Sequence, residues 1–182
     1  MRILVAALVL CACVPWLAAA DIPMPADYFG HEVGADSKLI PYPRVLEYLQ
    51  VIADASDRVS IEDAGTSTLG NPMKVVVLTS PANQANLERL REIAKLIARP
   101  GELSPEESAA LVEEGKVIAL VTCSIHSTEV GSTQMVTEFV HEFATTGDPE
   151  KLAWMDEAVL LVMPSINPDG QIMIVDWYDE WL

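Results

Sequence analysis

Residues 117–129 read VIALVTCSIHSTE, a run that is apolar from residue 117 to residue 123 except for Thr122 and that ends in a polar turn. Such a run predicts a β-strand covered on both of its faces. Two more runs, 73–78 and 158–163, have the same character. Because amphipathic helical segments separate most of these runs, the sequence predicts an α/β fold with a mixed, largely parallel sheet covered by helices on both faces.

The segments around these strands carry start and stop signals. Residues 43–55 have helical apolar spacing, and Val59 and Ile61 alternate with polar residues, which predicts a strand antiparallel to the 73–78 run. Ser80 followed by proline predicts the start of a helix that ends before residue 100. A capping box at Ser104 and Glu107 predicts another helix, closed by Gly115.

The first 20 residues, MRILVAALVLCACVPWLAAA, are typical of a secretory signal peptide. We therefore expect export to a secreted or periplasmic location, with residues 21–40 as an irregular N-terminal segment and residues 41–182 as the folded domain. A lipoprotein anchored through Cys13 is an alternative, but Ala18 and Ala20 form a better cleavage site.

Composition excludes several classes of protein. The chain holds 27 acidic and 11 basic residues, for a formal net charge of −16. Such a chain has no electrostatic footprint for nucleic acid. No apolar run after the signal approaches the ~20 residues that span a bilayer. Cys123 is the single cysteine after the signal, and its apolar setting indicates a buried residue rather than a nucleophile.

The candidate metal ligands are His126 and Glu129. They lie three residues apart on a turn that follows the strand, and an imidazole and a carboxylate so placed can point at one cation. Ligands gather beyond the carboxyl ends of strands in open α/β sheets, which favours this interpretation. A surface histidine beside a helix-start glutamate is the alternative that the spacing alone leaves open.

Neither of the other two histidines is expected to supply a third metal ligand. The helix after Glu129 has an apolar stripe that includes Met135 and Phe139, and His141 is expected on the opposite, solvated face. His31 is expected at the surface. A second polar turn, Asn-Pro-Asp-Gly at residues 167–170, follows the 158–163 run and on its own indicates a structural turn.

The two turns together resemble those of the zinc metallocarboxypeptidases, the relatives of carboxypeptidase A. The fuller strings CSIHSTEVGSTQM (123–135) and PSINPDGQ (164–171) resemble a secreted bacterial branch of that family. The resemblance covers roughly residues 40–182. It implies a carboxypeptidase-like fold, hydrolysis of peptide substrates, and a zinc cofactor held by two histidines and one glutamate with water in the fourth position.

Carried over residue by residue, only His126 and Glu129 match, as two of the three zinc ligands. In the family, the second histidine, the substrate-clamping arginine and the general-base glutamate lie downstream of the Asn-Pro-Asp-Gly turn. The sequence stops twelve residues after Gly170. We therefore expect residues 41–182 to be the N-terminal part of a catalytic domain, incomplete at the C-terminus and inactive alone.

Two alternatives remain open from the sequence. One is a zinc-dependent deacylase of the aspartoacylase or succinylglutamate desuccinylase kind, which has a similar His-x-x-Glu pair. The other is a non-catalytic binding domain. The sequence does not indicate an oligomeric state.

Overall fold

The computed structural model describes residues 21–99, 101 and 103–181. The predicted signal peptide lies outside these residues. The helices and strands, in chain order, are α1 (Pro25–Phe29), α2 (Tyr42–Ala55), β1 (Val59–Thr66), β2 (Pro72–Leu78), α3 (Pro81–Gln84), α4 (Leu87–Ile97), α5 (Pro105–Glu114), β3 (Val117–Thr122), α6 (Val130–Thr145), α7 (Pro149–Glu157), β4 (Ala158–Met163) and α8 (Pro168–Trp181).

The four strands form one mixed sheet in the order β1-β2-β4-β3. Strand β2 is antiparallel to both β1 and β4, and β3 is parallel to β4. The predicted antiparallel pairing of β1 with β2 and the mixed character of the sheet are confirmed. The parallel share is smaller than predicted, because β4 inserts between β2 and β3 and only one of the three pairings is parallel.

Helices pack on both faces of the central strands, as predicted. One face of β2 and β4 packs against α2 and α6 through residues such as Val76 and Val162. The opposite face packs against α4 and α5 through residues such as Val77 and Val159. The two faces of the sheet therefore have separate hydrophobic cores.

Strand β3 contradicts the prediction of a strand covered on both faces. It forms an edge of the sheet, and all six of its residues are exposed. Val117 is 67% exposed and Leu120 is 61% exposed, although the two side chains point to opposite faces. The apolar sequence indicates that this strand needs a cover, and in the described part of the chain none lies over it.

The helices differ from the predictions at three places. The N-terminal segment contains the short helix α1. The helix predicted from Ser80 onward is two helices, because Asn86 leaves the helical conformation and α4 restarts at Leu87. The Asn-Pro-Asp-Gly turn opens into α8, which the turn signals alone did not predict. The capping box of α5 is present, with both reciprocal hydrogen bonds.

Helix α6 is rotated relative to its predicted orientation. Val136 and Val140 are buried as expected, but Met135 is 43% exposed and His141 is buried. The prediction of a solvated His141 is therefore wrong. The buried face also includes the polar residues Thr133, Gln134 and Thr137, of which Gln134 and Thr137 were expected on the same side of the helix as His141. No helix in the described residues is long and apolar enough to cross a membrane.

Candidate metal centre

The side chains of His126 and Glu129 meet at the carboxyl end of β3. His126 Nδ1 lies 2.8 Å from Glu129 Oε1, and the His126 amide donates to Glu129 Oε2 at 3.0 Å. The Glu129 amide in turn donates to the His126 carbonyl at 3.0 Å. Both side chains are open to solvent, at 74% for His126 and 48% for Glu129. The predicted pair is thus brought together on one accessible turn.

The turn keeps the carboxylate of Glu129 in its ionised form. The hydrogen bonds from the His126 ring and the His126 amide lower the pKa of Glu129 below its ordinary value. Glu129 also stands immediately before the first residue of α6. A carboxylate at a helix N-terminus interacts favourably with the helix dipole.

Side-chain hydroxyl groups connect the beginning of this loop to its end and to the first turn of α6. Ser124 has a left-handed backbone with φ of 52° and a buried side chain. Its hydroxyl donates to the Glu129 carbonyl at 2.6 Å and lies 2.7 Å from Thr133 Oγ1, which donates to the Pro164 carbonyl. Non-glycine residues rarely adopt this conformation, and such strain is often found at functional sites. No sequence signal predicts this conformation at Ser124.

The Asn-Pro-Asp-Gly turn lies against the same loop. Asn167 Nδ2 donates to the Ile125 carbonyl at 3.0 Å, and Asn167 Oδ1 accepts from the Gly170 amide at 3.0 Å. A Cβ atom on Gly170 would overlap Ser127 Oγ and lie 2.7 Å from Asn167 Nδ2. The two motifs that were separate in the sequence therefore form one structural unit.

Asp169 connects this unit to the hairpin between β1 and β2. Its carboxylate accepts from Ser67 Oγ, from Asn71 Nδ2 at 2.8 Å and from the Leu69 amide at 3.0 Å. These bonds hold the pKa of Asp169 below its ordinary value, with the Ser67 hydroxyl as the largest cause. The hairpin turn is thereby fixed to the first turn of α8.

The remaining candidates stay apart from the pair. No cluster of three or more His, Cys, Asp or Glu side chains suited to a metal occurs within the described residues. His31 lies before α2, with its ring Nδ1 2.9 Å from the Glu32 carbonyl. Among the described residues, no group hydrogen-bonds to Nε2 of buried His141. Cys123 is buried as predicted, and burial raises the pKa of its thiol, which makes it a poor nucleophile.

The donor set fits zinc as two ligands of an incomplete set. Zinc accepts imidazole nitrogen at about 2.0–2.1 Å and carboxylate oxygen at about 2.0–2.2 Å. Two donors of a tetrahedral ion then lie about 3.4 Å apart. The 2.8 Å separation in the structure is a hydrogen-bond distance, and both side chains are exposed enough to open by the difference.

Fold and site together define an α/β protein with a His-Glu pair at the carboxyl end of a strand. The family model for zinc carboxypeptidases (Peptidase M14) matches residues 45–180. The chain therefore belongs to the zinc carboxypeptidase family. A search of curated protein sequences found no significant match.

Solved structures share this fold. Carboxypeptidase A from Helicoverpa armigera is 16% identical over 85% of this chain and 33% of its own, with a TM-score of 0.52. Thrombin activatable fibrinolysis inhibitor is 12% identical over 82% of this chain and 31% of its own, with a TM-score of 0.51. The chain thus spans about a third of the length of these two structures.

Proposed function

We propose that this chain is the N-terminal part, residues 41–182, of a secreted zinc-dependent peptidase of carboxypeptidase type. His126 and Glu129 are two of its zinc ligands, and its substrates are peptides. The observation that carries this proposal is the 2.8 Å contact between His126 Nδ1 and Glu129 Oε1 in a member of the zinc carboxypeptidase family.

The residues of the pair suit this chemistry. Hydrogen bonds from His126 hold the pKa of Glu129 below its ordinary value, which favours the ionised carboxylate that a cation requires. His126 offers a ring nitrogen on the side that faces this carboxylate. When bound by such residues, zinc polarises a scissile carbonyl and lowers the pKa of water to about 7.

The chain on its own is proposed to be inactive. Catalytic zinc sites have three protein ligands, whereas the described residues hold the His126–Glu129 pair and no cluster of three. The family match favours a peptidase over the deacylase alternative. A non-catalytic binding domain is separated from the proposal by the zinc titration below.

Isothermal titration of zinc tests the ligand assignment. We expect the wild-type chain to bind zinc weakly, because two protein ligands give less chelation than three. His126→Ala should abolish the binding, whereas the surface control His31→Ala and the third-ligand control His141→Ala should leave it unchanged. Tight stoichiometric binding that requires His141 would contradict the assignment, and no binding by the wild type would favour the non-catalytic alternative.

Export is tested separately. We expect signal peptidase to cut after Ala20, so that N-terminal sequencing of the exported protein begins at Asp21. A lipid-modified Cys13 at the N-terminus would show instead that the protein is a lipoprotein.

A further inference from the structure

The side-chain amide of Asn167 makes two hydrogen bonds. One lies within the start of its own helix, α8, and the other reaches the loop between β3 and α6 that carries His126 and Glu129. Its Oδ1 accepts from the Gly170 amide, which caps the first turn of α8. Its Nδ2 donates to the carbonyl of Ile125, the residue directly before His126. One side chain thus joins the start of α8 to the loop between β3 and α6.

The same helix turn also touches the residue on the other side of His126. Gly170 approaches Ser127 so closely that a methyl group on Gly170 would overlap Ser127 Oγ. The backbone around His126 is therefore held by α8 both before and after the ligand. Of these two contacts, the hydrogen bond from Asn167 Nδ2 to the Ile125 carbonyl is the polar one.

The His126 ring has little other support. Its polar side-chain contact within the described residues is with Glu129, and most of the side chain is exposed. The loop also begins with the left-handed Ser124, an unfavourable conformation that the surrounding contacts must maintain. The direction of the imidazole therefore depends on the backbone that carries it.

We propose that Asn167 is a positioning residue for the His126–Glu129 pair. By holding the Ile125 carbonyl, it fixes the loop so that His126 faces Glu129 before a cation is bound. The inference rests on the proposed function for its zinc readout, and it gives the Asn-Pro-Asp-Gly turn a role in the site. Groups that orient metal ligands typically contribute 10-fold to 100-fold in affinity, and we expect about tenfold here.

The discriminating variant is Asn167→Ser. Serine is as good an N-cap as asparagine, so α8 should be retained, but its side chain is too short to reach Ile125. The matched control is Asn71→Ser. It removes the hydrogen bond from the Asn71 side-chain amide, in the hairpin, to Asp169 in the first turn of α8. Each protein is measured by zinc titration calorimetry and, without metal, by amide hydrogen exchange.

We expect Asn167→Ser to bind zinc about tenfold more weakly than wild type and to exchange the amides of His126 and Glu129 about tenfold faster. Asn71→Ser should keep wild-type zinc affinity and accelerate exchange in the hairpin, at Leu69. Equal zinc affinity in Asn167→Ser and wild type would overturn the inference. If the wild type binds no zinc, the proposed ligand role fails, and hydrogen exchange without metal then tests the positioning role by itself. Unchanged exchange of the His126 and Glu129 amides in Asn167→Ser would overturn the inference. Faster exchange of these amides would support it.

Discussion

Gly170 combines a helical backbone with a contact that excludes any side chain. Replacing a helical glycine with alanine ordinarily stabilises a protein by about 0.5–1 kcal/mol, because alanine loses less backbone entropy. At Gly170 the new methyl group would overlap Ser127 Oγ and press on Asn167. Overpacking of this kind typically costs about 1–3 kcal/mol, so steric cost outweighs the gain in propensity.

We therefore predict that Gly170→Ala lowers the free energy of unfolding by about 1–2 kcal/mol. Gly131→Ala provides the control, since Gly131 is in the first turn of α6 and has no atom within 4 Å of its added Cβ. This control should raise the free energy of unfolding by up to about 1 kcal/mol. Urea denaturation measures both, and a stabilised Gly170→Ala protein would refute the close packing against Ser127.

The candidate pair His126–Glu129 could be predicted from the sequence, whereas the contacts that support it could not. His126 and Glu129 follow from their spacing and from their place after an apolar strand. Ser124 and Asn167 carry no comparable signal. Ser124 has a left-handed φ and bonds to residues five to nine positions further along the chain. Asn167 reaches Ile125 across 42 positions.

The contact between the β1-β2 hairpin and α8 depends on the charge of Asp169. Its folded-state pKa is below its ordinary value, so it stabilises the folded protein above the unfolded pKa of about 4 and loses this effect as the pH falls through the folded pKa. The three groups that bind it are all hydrogen-bond donors of the hairpin turn. The protonated acid accepts these bonds less strongly.

We predict that Asp169→Asn is less stable than wild type at pH 7 and that the difference shrinks below about pH 4. Urea unfolding of both proteins at several pH values measures the difference, and titrating groups common to both cancel in the comparison. A difference that stays constant from pH 7 to below pH 4 would mean that the ionised form of Asp169 has no special role.

Hydrophobic periodicity predicted whether a segment forms a helix or a strand better than it predicted which segments pack together. The apolar runs correctly predicted strands β2, β3 and β4, because such runs need burial or pairing to be stable. They did not reveal that β4 lies between β2 and β3. For α6, helical spacing predicts Met135 inside and His141 outside, whereas the buried face centres on Thr137 and Val140. This face packs against α2 and α1, which are distant in the sequence.

Two properties of the protein have opposite effects on its self-association in solution. In the described part of the chain, strand β3 presents an unpaired edge with exposed apolar side chains on both faces, which favours association between copies. The net charge of −16 opposes it by long-range repulsion. Repulsion is screened by salt, since the Debye length falls from about 30 Å at about 10 mM to about 3 Å at about 1 M, whereas the apolar contact is not.

We predict that the chain stays dispersed at low ionic strength and self-associates as salt is raised. Leu120→Lys should suppress this association, because it places a charge in the middle of the exposed strand. Leu69→Lys is the control, since Leu69 is also an exposed leucine but lies in the hairpin turn. Static light scattering from low salt to about 1 M checks the prediction. Equal association by wild type and Leu120→Lys would place the contact elsewhere.

The strand order also sets a sequence of events during synthesis. Strands β1 and β2 can pair as soon as their hairpin is complete, but β3 gains its partner only when β4, a later segment, has been made. Domains fold as the chain emerges at about 5–20 residues per second. His126 and Glu129 thus leave the ribosome well before Asn167, which follows Ile125 by 42 positions. The turn that carries His126 and Glu129 is translated early and reaches its native geometry late.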